Sequence, residues 1–68
     1  MNITIWLDYE GQWIQLYNSD SVSQVERFLK FWVEMRPLSN IQVVLKTQPM
    51  GKLKIFEGKC IDFQGLRE

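Results

Sequence analysis

The sequence predicts a two-layer α+β domain in which one helix packs on a mainly antiparallel sheet. Apolar and polar residues alternate before residue 19 and after residue 40, as they do in half-buried strands. Over residues 19–36 the apolar residues instead recur at helical spacing. The predicted order is therefore β-β-α-β-β with a possible short fifth strand, and 68 residues are expected to form one domain.

The first two strands, over residues 2–9 and 12–18, are expected to form a hairpin around Gly11, which can adopt the positive φ of a tight turn. Two registers remain open. A two-residue loop places Leu7 opposite Ile14, whereas a four-residue loop places Trp6 opposite Trp13. Both registers keep the aliphatic side chains on one face.

The helix is predicted over about residues 21–36. Ser21 and Ser23 are each followed three residues later by Gln or Glu, which is the pattern of a capping box. Pro37 ends the helix, because it disfavours helical geometry at the residue before it. Eight apolar residues fall on one arc of roughly 200°: Val22, Val25, Phe28, Leu29, Phe31, Trp32, Val33 and Met35.

Residues 41–47 and 53–56 alternate as the third and fourth strands, with a turn expected at 49–51. After them, residues 57–59 form a second turn before a short fifth strand at 60–63, or their glycine is a bulge in one long strand. The predicted core includes Ile3, Ile5, Leu7, Ile14, Leu16, Ile41, Val43, Leu45, Leu53 and Ile55 of the sheet and Val25, Phe28, Leu29 and Trp32 of the helix.

The composition argues against an enzyme. The chain has no His and a single Cys, which excludes His-dependent nucleophilic catalysis, an internal disulfide and a multi-Cys zinc site. No glycine-rich phosphate-binding motif occurs. Asp8 and Glu10 flank a turn, and Cys60 stands alone, so we interpret all three as structural. We expect no cofactor and no metal.

The sequence also predicts a cytoplasmic protein. Asp8 and Glu10 interrupt the first apolar segment, and no Lys or Arg precedes it, unlike in an export signal. The longest apolar runs are three residues, far too short to span a membrane. A lone thiol is typical of a reducing compartment.

One face of the predicted sheet has no helix to cover it, yet it is rich in aromatic residues. An open antiparallel face is normally polar, and a large exposed apolar patch usually marks a binding site. The alternative is that cross-strand aromatic pairs stabilise the sheet itself. The expected binding residues on this face are Trp6, Trp13, Tyr17 and Phe56, with Lys46 and Lys54 between them.

The helix offers a second candidate surface. Phe31 and Met35 lie at the edge of its apolar arc, where they contact a partner or pack on the segments that follow the helix.

The charges are distributed unevenly along the sequence. Residues 1–36 carry three basic and five acidic groups (net −2), and residues 37–68 carry five basic and three acidic groups (net +2).

We consider three functions. The first is a small non-catalytic protein-binding module that docks another protein, or a second copy of itself, through the aromatic face or the edge of the helix. The second is a single-stranded nucleic-acid binder, which needs stacked aromatics and lysines but is disfavoured by the zero net charge. The third is a structural subunit or homodimer. In its small size, its low cysteine content and its aromatic face, the chain resembles phage or mobile-element proteins that inhibit or regulate a larger host complex. This resemblance implies a role of that kind.

Overall fold

A computed structural model describes residues 1–47 and 51–65. In these residues the strands are β1 (Asn2–Tyr9), β2 (Gln12–Ser19), β3 (Asn40–Thr47) and β4 (Gly51–Lys59), and the helix is α1 (Val22–Met35). The sheet order is β2-β1-β3-β4, and every neighbouring pair is antiparallel. The predicted fold class and element order are confirmed. In this part of the chain, no helix is long and apolar enough to cross a membrane.

The connection through α1 determines which face of the sheet is covered. Both β2 and β3 run antiparallel to β1, so they are parallel to each other on either side of it. Parallel strands need a crossover connection, and α1 supplies it. The helix therefore lies on one face of the sheet and leaves the opposite face open.

The β1–β2 hairpin uses the two-residue loop. Glu10 has a φ of 53° and Gly11 a φ of 86°, as in a type I′ turn. The Gly11 N–H donates to Asp8 Oδ1 at 3.0 Å, and Leu7 lies opposite Ile14. The register expected for this loop is thus confirmed next to the turn.

Each edge strand contains a β-bulge. In β2 the bulge places Leu16 between the residues opposite Trp6 and Ile5, and in β4 a second bulge places Ile55 between Lys54 and Phe56. A bulge adds one residue to one strand of a pair, so the alternation of side chains between the two faces shifts by one residue.

The N-terminus of α1 is capped through two serines. Ser21 is the N-cap, and its hydroxyl accepts the Gln24 N–H at 3.3 Å. In a two-residue capping box the Gln24 side chain would return to the Ser21 N–H. Here the Ser21 N–H donates to Ser19 Oγ at 3.0 Å, and Ser19 Oγ donates to Gln24 Oε1 at 3.0 Å. Of the two predicted capping positions Ser21 rather than Ser23 is the N-cap, and the Ser19 hydroxyl bridges the Gln24 side chain to the Ser21 N–H in place of a direct bond.

The C-terminus of α1 is hydrogen-bonded, through the residues that follow it, to the segment after β4. The Trp32 indole N–H donates to Ser39 Oγ at 2.9 Å, and Ser39 Oγ donates to the Arg36 carbonyl at 2.8 Å. The Cys60 N–H then donates to the Ser39 carbonyl at 2.7 Å, and the Ile61 N–H to the Pro37 carbonyl at 2.9 Å. Residues 36–39 and 60–61 therefore form one hydrogen-bonded unit.

Beyond Lys59 the chain differs from the prediction. β4 continues unbroken to Lys59, and Cys60–Asp62 form a 3₁₀ turn, so the predicted turn at 57–59 and the fifth strand are wrong. One long strand with a bulge is correct, but the extra residue is Ile55 rather than Gly58. Most of the turn predicted at 49–51 lies outside the described residues.

The core lies between α1 and the two central strands. Its buried members are Ile3, Ile5, Val25, Leu29, Ile41, Val43 and Cys60. Three of the four core residues predicted on the edge strands are instead exposed: Ile14 is 42% exposed, Leu53 is 52% exposed and Ile55 is exposed as well, whereas Leu16 is half-buried against the core. A helix is roughly 10 Å wide, whereas four strands at about 4.8 Å spacing span more than that, so one helix covers the centre of the sheet but not its edges.

A matched pair of substitutions tests this division between centre and edge. Ile5→Val should lower the free energy of unfolding by about 1 kcal/mol, because a methylene is lost from a fully buried site. Ile14→Val makes the same change where the side chain is already exposed, and it should cost only a few tenths of a kcal/mol. Urea unfolding followed by tryptophan fluorescence measures both. Equal losses would contradict the described position of the core.

Candidate binding face

The open face of the sheet presents the even-numbered side chains of β1 and their neighbours on β2 and β3. Trp6 lies opposite Gln15 of β2 and Gln42 of β3. In the adjacent rows Trp13 lies opposite Asp8, and Thr4 lies opposite Val44. Because α1 occupies the other face, no described element covers these side chains.

A shallow groove of about 430 Å³ crosses this face. We call it the Trp groove, and its lining includes Trp6, Trp13, Thr4, Val44, Lys46 and Lys52. Trp6 is half-buried and Trp13 is 38% exposed, so the groove presents indole surface to solvent. At the end of the groove away from the indoles, the lining includes Lys46 and Lys52.

Side-chain amides hold one wall of the Trp groove in place. Asn2 and Asn18 exchange hydrogen bonds of 3.3 and 2.7 Å, and the Asn18 amide also donates to Thr4 Oγ1 at 2.7 Å. The Asn2 amide donates in addition to Asp20 Oδ1 at 2.9 Å. These hydrogen bonds link the polar side chains beside the indoles into one network.

The lysines of this face differ in their partners. Lys54 forms an ion pair with Glu57, which also accepts a hydrogen bond from Gln42 at 3.3 Å. The hydrogen bond from Lys54 lowers the pKa of the Glu57 carboxyl below its ordinary value of 4.5. Lys46 and Lys52 lie directly opposite each other, and neither forms an ion pair with any residue among 1–47 and 51–65.

The open face contains fewer aromatic rings than expected. Tyr17 lies on the helix face, where its ring stacks on Phe28 with centroids 4.4 Å apart. Phe56 lies opposite the buried Val43, with its ring 5.0 Å from that of Phe63. The predicted placement of Tyr17 and Phe56 on the open face is therefore wrong. The cause is the bulge next to each of them, which moves both rings to the helix side.

Phe31 and Met35 lie on the helix, away from the Trp groove. They are 59% and 51% exposed, so they do not pack on the segments after the helix to a large extent. Phe31 lines a separate shallow hollow with Tyr17, Arg27 and Phe28. The sequence-predicted residues that the structure brings together on the open face are Trp6, Trp13, Lys46 and Lys54.

The binding residues predicted from the sequence do not include Asn2, Thr4, Gln42 and Lys52, which also line the Trp groove. Asn2, Thr4 and Gln42 share the face of Trp6, and period-2 alternation was the signal that placed them there. Lys52 joins Lys46 only because of the register between β3 and β4. That register cannot be derived from alternation alone.

Cys60 lies apart from the Trp groove, in the core, where it begins the 3₁₀ turn that follows β4. It is buried, and desolvation raises the pKa of its thiol above the ordinary value of 9.0. A thiol of this kind is a poor nucleophile, because the thiolate is the reactive form. Across the described residues, no three His, Cys, Asp or Glu side chains cluster as a metal site would require.

In comparisons with known proteins, no family model matches the chain, and no curated protein or solved structure is significantly similar to it.

The position of Cys60 predicts a specific pH dependence of stability. As the pH rises past 9.0, the thiol ionises in the unfolded chain while the folded chain retains its proton, so folding loses stability. Cys60→Ala removes this contribution. The wild type should be more stable than the variant at neutral pH, and the difference should shrink at alkaline pH. Urea unfolding of both proteins across this range measures it. A difference independent of pH would show that the thiol ionises equally in both states.

Proposed function

We propose that this chain is a small, non-catalytic protein-binding module that docks a partner protein on the open face of its sheet. The observation that carries the proposal is the pair of indoles in the Trp groove. Residues on the water-facing side of an antiparallel sheet are normally polar, and Trp6 and Trp13 depart from that rule. Tryptophan is also among the residues that most often dominate the binding energy of a protein interface.

The rigidity of the groove supports the same proposal. Trp6 lies on β1, which is paired on both sides, and Trp13 is the second residue after the tight turn at Glu10 and Gly11. The Asn2–Asn18–Thr4 hydrogen bonds hold the adjacent wall. A preorganised site loses less conformational entropy when a partner binds, so more of its contact energy appears as affinity.

The size of the chain is compatible with a protein interface. A standard interface covers about 800 Å² on each partner, which is about one-sixth of the 4984 Å² surface of the described residues. The groove itself has room for only a few side chains. It would thus be the centre of such an interface, and the polar residues around it would form the rim.

A single-stranded nucleic-acid binder is the alternative of a different class, and the placement of the rings makes it less favourable. Such proteins combine successive stacking rings with a continuous positive groove. With Tyr17 and Phe56 on the helix side, the open face keeps two rings. Asp8 and Glu57 add carboxylates to the same face.

Two further parts of the proposal rest on the sequence. A role as inhibitor or regulator of a larger complex follows from the likeness in size and style to phage or mobile-element proteins. A cytoplasmic location fits the single thiol of Cys60. Self-association through Phe31 and Met35 is the third possibility, and the following experiment separates it.

Affinity capture with wild type, Trp13→Ala and Phe31→Ala, read by quantitative mass spectrometry, tests the proposal. A specific partner should be captured by wild type and Phe31→Ala. Trp13→Ala should lose it, because truncating a central hot-spot residue costs about 2 kcal/mol or more. Direct titration with the purified partner then measures that loss.

Phe31→Ala is the control because it removes an exposed aromatic ring from the opposite side of the molecule. Loss of the partner with Phe31→Ala but not with Trp13→Ala would place the interface on the helix. A concentration-dependent dimer that Phe31→Ala dissolves, with no other protein bound, would favour the homodimer.

A further inference from the structure

We infer that the segment bound in the Trp groove is an extended peptide stretch of the partner, with an apolar side chain on the indoles and an acidic side chain between Lys46 and Lys52. This inference rests on the proposed function and deepens it. It specifies the chemistry of the occupant from the charges that line the groove, and the spacing of its two side chains from the geometry of β1.

The first argument is an uncompensated pair of cations. Lys46 and Lys52 lie directly opposite each other on β3 and β4, an arrangement that destabilises a sheet when the charges are alike. Neither lysine has an ion-pair partner among residues 1–47 and 51–65, whereas Lys54 is paired with Glu57. Asp20 shares a hollow with Lys46 but lies beyond ion-pair distance from it. A carboxylate placed between the two lysines would compensate both.

The second argument is the polarity of the groove. Two carboxylates lie at the indole end: Asp8 is opposite Trp13, and Glu57 is in the same row of the sheet as Trp6, two strands away. Both lysines lie at the other end. An occupant is therefore attracted if its negative charge is confined to one end. A nucleic acid carries phosphates along its whole length and would place some of them beside Asp8 and Glu57.

The third argument is the distance between the two ends. Trp6 and Asn2 are four residues apart on β1, and Asn2 lies opposite Lys46. At about 3.3 Å per residue this separation is roughly 13 Å. An extended peptide covers it with about four residues, so its acidic side chain should follow or precede its apolar side chain by about that number.

Selection from a displayed library of random short peptides tests the inference. The baits are wild type, Trp6→Ala/Trp13→Ala, Lys46→Met/Lys52→Met and the charge-matched control Arg27→Met/Lys30→Met. Peptides selected by wild type and by the control should share an apolar residue and an excess of Asp or Glu about four residues from it. The Lys46→Met/Lys52→Met bait should lose the acidic excess and retain the apolar residue.

Titration of one selected peptide gives the magnitude. Its affinity should fall at least about tenfold for Lys46→Met/Lys52→Met, since one charge-assisted contact corresponds to about one factor of ten, and it should not change for the control. The midpoint of urea unfolding should not fall for Lys46→Met/Lys52→Met, because the substitution relieves repulsion. A lower midpoint would show that the lysines serve the fold and would overturn the inference.

The outcomes separate this inference from the proposed function. If selected peptides depend on Trp6 and Trp13 but carry no acidic excess, the inference fails and the proposed function stands. If selected peptides do not depend on the indoles, both fail. Labelled oligothymidylate provides the last arm. If it binds at low salt and requires Trp6, Trp13, Lys46 and Lys52, the occupant is a nucleic acid and the inference is overturned.

Discussion

The burial of β1 beneath α1 is the contact on which the rest of the structure depends. Ile3 and Ile5 are fully buried, and β1 is the strand that lies between the two parallel strands joined by the helix. The aliphatic side chains of β1 must face the helix, so its even-numbered side chains must face the other way. The position of Trp6 in the open groove is thus a direct consequence of the core.

Within residues 1–47 and 51–65 one α-helix packs on four strands, and this ratio explains what is covered and what is exposed. The helix and the residues after β4, among them Cys60, cover the centre of the sheet, while Ile14 and Leu53 stay at the surface. The ring stack of Tyr17, Phe28 and Trp32 extends the core towards β2. On the side of β4, Phe63 from the segment after β4 packs against Phe56 and extends the core in that direction. These two groups of aromatic rings therefore cover the flanks of the sheet, which a second helix covers in larger domains.

Alternation and capping signals were sufficient to predict the four strands, the helix and the buried centre. These signals failed at the two bulges, where one extra residue shifts the alternation of side chains between the two faces. Leu16 and Ile55 are the extra residues of the two bulges, and neither residue type indicates a bulge. The sequence pattern therefore assigns Tyr17 and Phe56 to the wrong face. The lysine pair could not be predicted either, since it depends on the register of β3 against β4. The residues of β1 were predicted well because that strand contains no extra residue.

The two bulges have a consequence for how other chains can approach this one. Both lie in the edge strands, close to exposed aliphatic side chains such as Ile14 and Leu53. A flat edge with such side chains would be a template onto which a further strand could add. An irregular edge breaks the regular row of N–H and C=O groups that strand addition requires. Addition of a further strand at either edge of the sheet is thereby discouraged.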